Sequence, residues 1–325
     1  MPPAANAEHW QQALRHSLKN VGELLRFCQV PADALDVDVA PEFPLRVTRV
    51  WAARIRKGDV RDPLLRQVLP LADERLAVAG FVADPTGDCQ ALAASGLLHK
   101  YRGRCLVVST AACAIHCRYC FRRHFPYGEQ RLDSGKLAAY LRQRPEVAEV
   151  ILSGGDPLML TDDRLRALTA VLPDAVHTLR IHTRMPVVLP ARVDAGLLEW
   201  LAGLPQQVVL VLHVNHAREL DGETARALQA LRQAGVHLLN QAVLLRGVND
   251  SAARLRSLME ALFSQGVLPY YLHLLDPVAG AAHFQVPEAE ALALHRQLRA
   301  VLPGYLVPRL AREYPGEAAK RVLAG

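Results

Sequence analysis

Hydrophobic positions change their period near residue 100. Upstream, Trp10, Leu14, Leu18, Val21 and Leu25 recur at intervals of three and four, which predicts an amphipathic helix within 7–30, ended by Pro31. Phe43 to Arg75 continues in the same style through Val50, Ile55, Leu64, Leu65, Val68 and Leu69, with breaks at Gly58, Asp62 and Pro63. Residues 1–95 therefore read as a mostly helical N-terminal region, with no chemical motif in it. From Cys105 onward, short β-branched runs alternate with amphipathic segments. The strands expected are Cys105–Ser109, Val147–Leu152, Thr178–His182, Val208–Val214, Leu238–Val243 and Tyr270–Leu274. Helices fall near Ser134–Arg142, Asp163–Val171, Ala195–Leu201, Glu223–Ala234 and Ser251–Gln265. Such alternation predicts an α/β fold of parallel βα units, six of which curve into an incomplete (β/α)6 TIM-like barrel with a helical N-terminal extension. The barrel is placed at 96–285 and a C-terminal segment at 286–325.

Composition narrows the class. A chain of 325 residues that is 51% hydrophobic has enough apolar material for a large core. It has no apolar run of membrane-spanning length, and Met1-Pro-Pro-Ala-Ala lacks the basic and apolar regions of a signal peptide, so a cytoplasmic protein is expected. The net charge of +6 would suit an acidic partner. Its basic residues are interleaved with acids, as in Asp221-Gly-Glu223-Thr-Ala-Arg226, and read as a solvated surface with no nucleic-acid partner.

Cysteine usage carries the first chemical signal. Three of the six cysteines lie together in Cys113-Ala-Ile-His-Cys117-Arg-Tyr-Cys120. Thiolates hold iron–sulfur clusters, and three ligands for four irons leave one iron open to a substrate. Zinc completed by His116 or His124, and a disulfide cluster in an exported protein, are the alternatives. A reducing compartment favours metal binding for the trio and keeps Cys28, Cys89 and Cys105 as thiols.

The Cys-x3-Cys-x2-Cys spacing resembles that of the radical S-adenosylmethionine (SAM) enzymes. The resemblance implies a [4Fe–4S] cluster on Cys113, Cys117 and Cys120 whose fourth iron binds SAM, and an external electron donor whose electron cleaves it to a 5′-deoxyadenosyl radical. One βα unit later, Ser153-Gly154-Gly155-Asp156 resembles that family's glycine-rich SAM turn. By itself such a turn is more often structural. His213, Asn215 and Gln241 lie at later strand ends, where barrel enzymes gather reactive groups, and are assigned to the SAM region.

Together these segments are similar to the lysine 2,3-aminomutase branch, most strongly from about Lys100 to Lys320. That branch adds pyridoxal 5′-phosphate (PLP). Lys320 in Pro315-Gly316-Glu-Ala-Ala-Lys320 matches its Schiff-base lysine, although the turn lacks the family's run of glycines. Lys100, Tyr101 and Arg104 resemble an Arg-Tyr-x-x-Arg stretch near the PLP phosphate and a subunit contact, which implies a homo-oligomer. An ordinary basic loop is the alternative there. Arg122 matches the arginine that pairs with the substrate carboxylate, and Asp276 matches a carboxylate for the lysine side-chain ammonium. Glu313 stands where the family has a second aspartate.

The resemblance thus implies isomerase activity converting L-lysine to β-lysine. The end at Gly325, the absence of cysteine after Cys120, and Glu313 resemble the short bacterial branch that makes (R)-β-lysine for modification of elongation factor P by a separate ligase. Alternative readings are an aminomutase for another amino acid such as glutamate, a radical SAM enzyme without PLP, and a non-enzymatic iron–sulfur module.

Overall fold

The structure is a computed structural model that describes residues 10–130 and 132–325. The residues before Trp10, including the first positions of the helix expected over 7–30 and the Met1-Pro-Pro-Ala-Ala stretch, lie outside the described residues. Among the described residues, four short α-helices occupy the N-terminal region: α1 (Trp10–Arg15), α2 (Val21–Cys28), α3 (Arg49–Ala53) and α4 (Pro63–Arg66). Much of the rest of that region is irregular, in contrast to the mostly helical expectation. The expected first helix breaks because Leu18 pairs with Val47 as an isolated antiparallel bridge. Asn20 then restarts the helix, its side chain accepting from the Glu23 amide at 3.1 Å.

A single ten-stranded sheet follows in simple sequential order. Its strands are β1 (Leu92–Ala94), β2 (Leu97–Tyr101), β3 (Arg104–Thr110), β4 (Glu149–Gly154), β5 (Thr178–Thr183), β6 (Gln207–Leu212), β7 (His237–Val243), β8 (Leu268–His273), β9 (Arg309–Arg312) and β10 (Arg321–Ala324). Pairing is parallel from β3 through β9, and antiparallel between β1 and β2, β2 and β3, and β9 and β10. β3 to β8 are the six expected strands, and the sheet remains an open, incomplete barrel. The short strands β1, β2, β9 and β10 extend it beyond the expected set.

The connecting helices are α5 (Ser134–Arg142), α6 (Asp162–Thr169), α7 (Met185–Val188), α8 (Ala195–Ala202), α9 (Gly222–Gln233), α10 (Ala252–Ser264) and α11 (Glu288–Val301). Several start in the same way. Asp133, Asp194, Asp221 and Ser251 each accept from the amide three residues on, capping α5, α8, α9 and α10. Each such cap is worth about 0.5–2 kcal/mol. Strand residues such as Leu152, Leu179, Ile181, Leu210 and Leu272 join Leu141, Leu165, Leu228 and Leu258 of the helices in one apolar core. Removing that surface from water supplies the main driving force for the fold, and strand ends are left to carry polar groups.

Candidate active site

Lys320 immediately precedes β10 and forms an ion pair with Glu313, which immediately follows β9. From there a chain of alternating charges crosses the mouth of the barrel. Glu313 accepts from Lys100 Nζ at 2.9 Å, and Lys100 reaches Asp88 at 2.5 Å. Asp88 in turn accepts from Arg122 Nε at 2.6 Å, and Arg122 Nη1 donates to Ser153 Oγ at 2.9 Å. Three cations are thus threaded through two carboxylates, both of them largely buried. Asp276 lies within electrostatic reach of Lys320, Glu313, Asp88 and Lys100.

The electrostatics of this chain are uneven. Burial raises the Glu313 carboxyl, but Lys320 and Lys100 outweigh it and hold the group down at about 2. Asp88 behaves likewise, with Arg122 and Lys100 holding it well below the usual carboxylate range against its burial. Asp276 is the opposite case. Burial dominates and pushes its carboxyl up to about 7, with Lys320 only partly offsetting the effect. A buried carboxyl short of compensating charge invites a cation. Tyr101, beside Glu313, has its phenol pushed up by burial and by that carboxylate, and Arg104 lies 4.4 Å over its ring. Lys100 is spent on Asp88, Glu313 and the Thr86 carbonyl.

The cysteine loop leaves β3 and is clamped by the N-terminal region. Arg46 donates to the Cys113 carbonyl at 3.0 Å, the His116 amide to Arg46 O at 2.9 Å, and the Arg118 amide to Gln67 O at 2.9 Å. Arg118, fully buried, forms an ion pair with Glu74 and lies 5.0 Å over the Phe43 ring. Arg123 joins the same Glu74 at 2.7 Å. Residues 43–75 thus hold the loop in shape, a role that hydrophobic spacing alone does not disclose.

The loop brings Cys113, Cys117 and Cys120 within electrostatic reach of one another. No disulfide joins any of the six cysteines. His116 donates its Nδ1 to the Pro44 carbonyl at 2.8 Å, and His124 its Nε2 to the Ala279 carbonyl at 3.1 Å. Among the described residues no group of three His, Cys, Asp or Glu is arranged around a single ion. Burial raises the Cys113 and Cys120 thiols, with Cys120 and Cys117 adding to the effect on Cys113 and Cys117 to that on Cys120. A trio of thiolates in such surroundings needs a cationic partner. Cys28 and Cys105 belong to the apolar core, where burial pushes them up to about 11 and about 12.

The turn after β4 explains its glycines. Gly154 has a φ of +111°, and a Cβ there would meet the Thr110 carbonyl oxygen at 2.6 Å. A Cβ on Gly155 would come within 2.4 Å of the Ala112 carbonyl oxygen, beside Cys113. Asp156 turns into the fold. Its carboxylate accepts from Leu158 N at 3.0 Å, Thr183 Oγ1 at 2.6 Å and Arg184 N at 2.7 Å, tying this turn to the end of β5. Asn215 is also bound within the protein, donating to the Tyr119 hydroxyl at 2.6 Å and Gln67 Oε1 at 3.1 Å and accepting from Val243 N at 2.8 Å. His213 and Gln241 meet at 2.6 Å, and burial pushes His213 down to about 3, which keeps its imidazole neutral.

Comparison with known proteins adds the decisive observation. Residues 107–258 match the Radical SAM superfamily. The L-lysine 2,3-aminomutase of Escherichia coli is 45% identical over 97% of this chain and 94% of its own length. The chain belongs to the L-lysine 2,3-aminomutase family. The Haemophilus influenzae L-lysine 2,3-aminomutase is 43% identical, covering 99% of this chain and 98% of the relative. That of Clostridium subterminale is 33% identical over 97% of this chain and 78% of its own. Radical SAM lysine 2,3-aminomutases use a [4Fe–4S] cluster, SAM and PLP.

Sequence reasoning missed Asp88, Arg184, Glu219 and Gln67. Asp88 couples Arg122 to Lys100, and the other three form a buried network beneath the cysteine loop. A lone Asp in an irregular segment or an Arg after a strand has no local pattern to announce it. His182 and His273 were also missed. Both lie in the barrel, where burial drives them well below the ordinary histidine value.

Proposed function

We propose that this chain converts L-lysine to β-lysine by 2,3-amino migration. The observation that carries the reading is the pairing of opposite charge preferences in one site. Arg122, with a planar fork suited to a carboxylate, stands at one end of the charge chain, and Asp276 and Glu313 lie around the Lys320 ammonium at the other, so this end accepts a cation. An amino acid with a second, distal ammonium satisfies both ends. A glutamate side chain would meet two carboxylates and be repelled.

Each residue then has a definable task. Cys113, Cys117 and Cys120 would hold the cluster, the Gly154–Gly155 backbone would approach SAM, and Lys320 would hold PLP, with Tyr101 and Arg104 near its phosphate. When bound, the cluster and SAM supply a hydrogen-abstracting radical, and PLP supplies a π-system for the migrating nitrogen. Arg122, steadied by Asp88 and Ser153, orients the substrate carboxylate. Asp276 and Glu313 fix the distal ammonium, so the α- and β-carbons are presented at a constant depth. His213 and Gln241 complete the polar wall assigned to SAM, and the apolar barrel excludes water.

The product is further assigned as (R)-β-lysine, supplied to elongation factor P through a separate ligase. This finer reading is supported by the near full-length match to the Escherichia coli and Haemophilus influenzae relatives, against partial coverage of the Clostridium enzyme. An external electron donor, a homo-oligomeric state and a cytoplasmic location belong to the same reading. Among the described residues no helix is long and apolar enough to cross a membrane. Reduced, reconstituted enzyme incubated in parallel with L-lysine and L-glutamate, with chiral resolution of the products, tests it. (R)-β-Lysine is expected, and β-glutamate without β-lysine would overturn the substrate assignment.

A further inference from the structure

Arg184 follows β5 and is buried, and its guanidinium fork is divided between two kinds of partner. Nη1 donates to Cys117 Sγ at 2.8 Å and to the Tyr119 hydroxyl at 2.9 Å. Nη2 donates to Gln67 Oε1 at 2.7 Å and to Glu219 Oε2 at 3.0 Å. A buried arginine facing a carboxylate ordinarily gives it both arms. Here Glu219 receives one, because its other oxygen already accepts from Gln67 Nε2 at 2.9 Å, Asn215 N at 3.0 Å and His216 N at 3.1 Å. The second arm is left for the sulfur.

The guanidinium is held in that position from several sides. Its backbone amide donates to Asp156, Trp51 lies 4.5 Å from it, and Glu219 is fully buried. A charged donor fixed against a ligand sulfur in a water-poor site stabilises negative charge on that sulfur. One-electron reduction of a [4Fe–4S] cluster from 2+ to 1+ adds such charge, shared with the ligand thiolates, with no bond made or broken. Hydrogen bonds to the sulfurs therefore favour the reduced form. The nearby Glu219 carboxylate opposes the effect by partly neutralising the arginine.

We infer that Arg184 is a tuning residue for the cluster: its Nη1 donates to the Cys117 thiolate and raises the cluster's reduction potential, while Glu219 limits the rise. The inference rests on the reading that Cys113, Cys117 and Cys120 hold the cluster, and it goes beyond that reading by assigning a function to the network beneath them. The electron comes from a low-potential one-electron donor, for which dithionite serves in the assay.

The test compares anaerobically reconstituted wild type, Arg184→Met, Arg184→Lys and Glu219→Gln without SAM or lysine. Iron and sulfide content is measured separately from the midpoint potential, which is read by electron paramagnetic resonance during dithionite titration. Arg184→Met is expected to lower the reduction equilibrium constant about tenfold, a shift of about 59 mV for one electron. Arg184→Lys, which keeps the charge and one donor, should fall between it and wild type. Glu219→Gln should move the potential the other way. Potentials that stay within twofold of wild type in equilibrium constant, or that move in the same direction in Arg184→Met and Glu219→Gln, overturn the inference. If Arg184→Met fails to assemble, an upward shift in Glu219→Gln supports it, and no shift there overturns it. Failure of the cluster reading itself would show separately, as wild-type protein that takes up no cluster.

Discussion

Glu313 and Lys320 form an ion pair across the turn that joins β9 to β10, and Glu313 holds Lys100 at 2.9 Å on its other side. One carboxylate therefore serves two cations of the site. Glu313→Gln removes that charge while keeping shape, and losing one partner of a buried pair costs about 2–5 kcal/mol. The KM for L-lysine should rise roughly 30-fold or more, at about 1.4 kcal/mol per tenfold. Glu313→Asp should rise less than Glu313→Gln. Initial rates against L-lysine concentration check this, and an unchanged KM in Glu313→Gln would remove Glu313 from substrate binding.

Asp276 predicts a pH dependence. Its carboxyl is raised from 3.8 to about 7, first by burial. A folded value above the unfolded one means that the proton favours the fold. The stability it contributes is fully present below 3.8 and is lost as pH rises through about 7. Substrate binding has the opposite preference, because the distal ammonium selects the ionised form. L-Lysine should bind more tightly as pH rises through about 7, and binding at lower pH should release a proton. Calorimetry on holoenzyme near pH 6, in two buffers of different ionisation enthalpy, would reveal it. Asp276→Asn should weaken lysine binding and abolish the release, while leaving lysine-independent SAM cleavage much less affected.

The cysteines divide into two groups. Cys113→Ala, Cys117→Ala and Cys120→Ala should each lose the oxygen-sensitive [4Fe–4S] cluster, whereas Cys28→Ala, Cys89→Ala and Cys105→Ala should keep it. Iron and sulfide counts after anaerobic reconstitution decide the matter. A full, SAM-cleaving cluster in Cys117→Ala would contradict the ligand assignment.

Gly155 predicts a steric effect at the same place. An added Cβ would lie 2.4 Å from the Ala112 carbonyl oxygen, and backbone cannot yield as a flexible side chain does. Gly155→Ala should push the turn away from the Cys113 segment and weaken SAM binding at least tenfold, about 1.4 kcal/mol. Equilibrium binding of SAM to reconstituted protein measures it, and wild-type affinity would show that the close approach is dispensable.

The sequence by itself determined the features that repeat or cluster locally. Strands β3 to β8 and most of the helices between them were legible because periods of two and 3.6 express which face is buried. The cysteine loop stands out because three cysteines lie within eight residues, and Lys320 because its spacing from Pro315 resembles the family's lysine. The buried, regularly spaced Ala291, Leu294 and Leu298 of α11 carried the same kind of signal, although that helix was not among the expected elements. Tertiary structure decided the rest. The first helix breaks because Leu18 finds Val47, and Asp156 turns inward because the end of β5 supplies its donors. Arg184 meets Gln67 across a sequence separation of 117 and Cys117 across one of 67. Asp88 gains its meaning from Lys100 and Arg122. Local periodicity records burial. The choice of partner for a buried charge depends on which distant strand ends the closed core brings together, and no short window of sequence contains both partners.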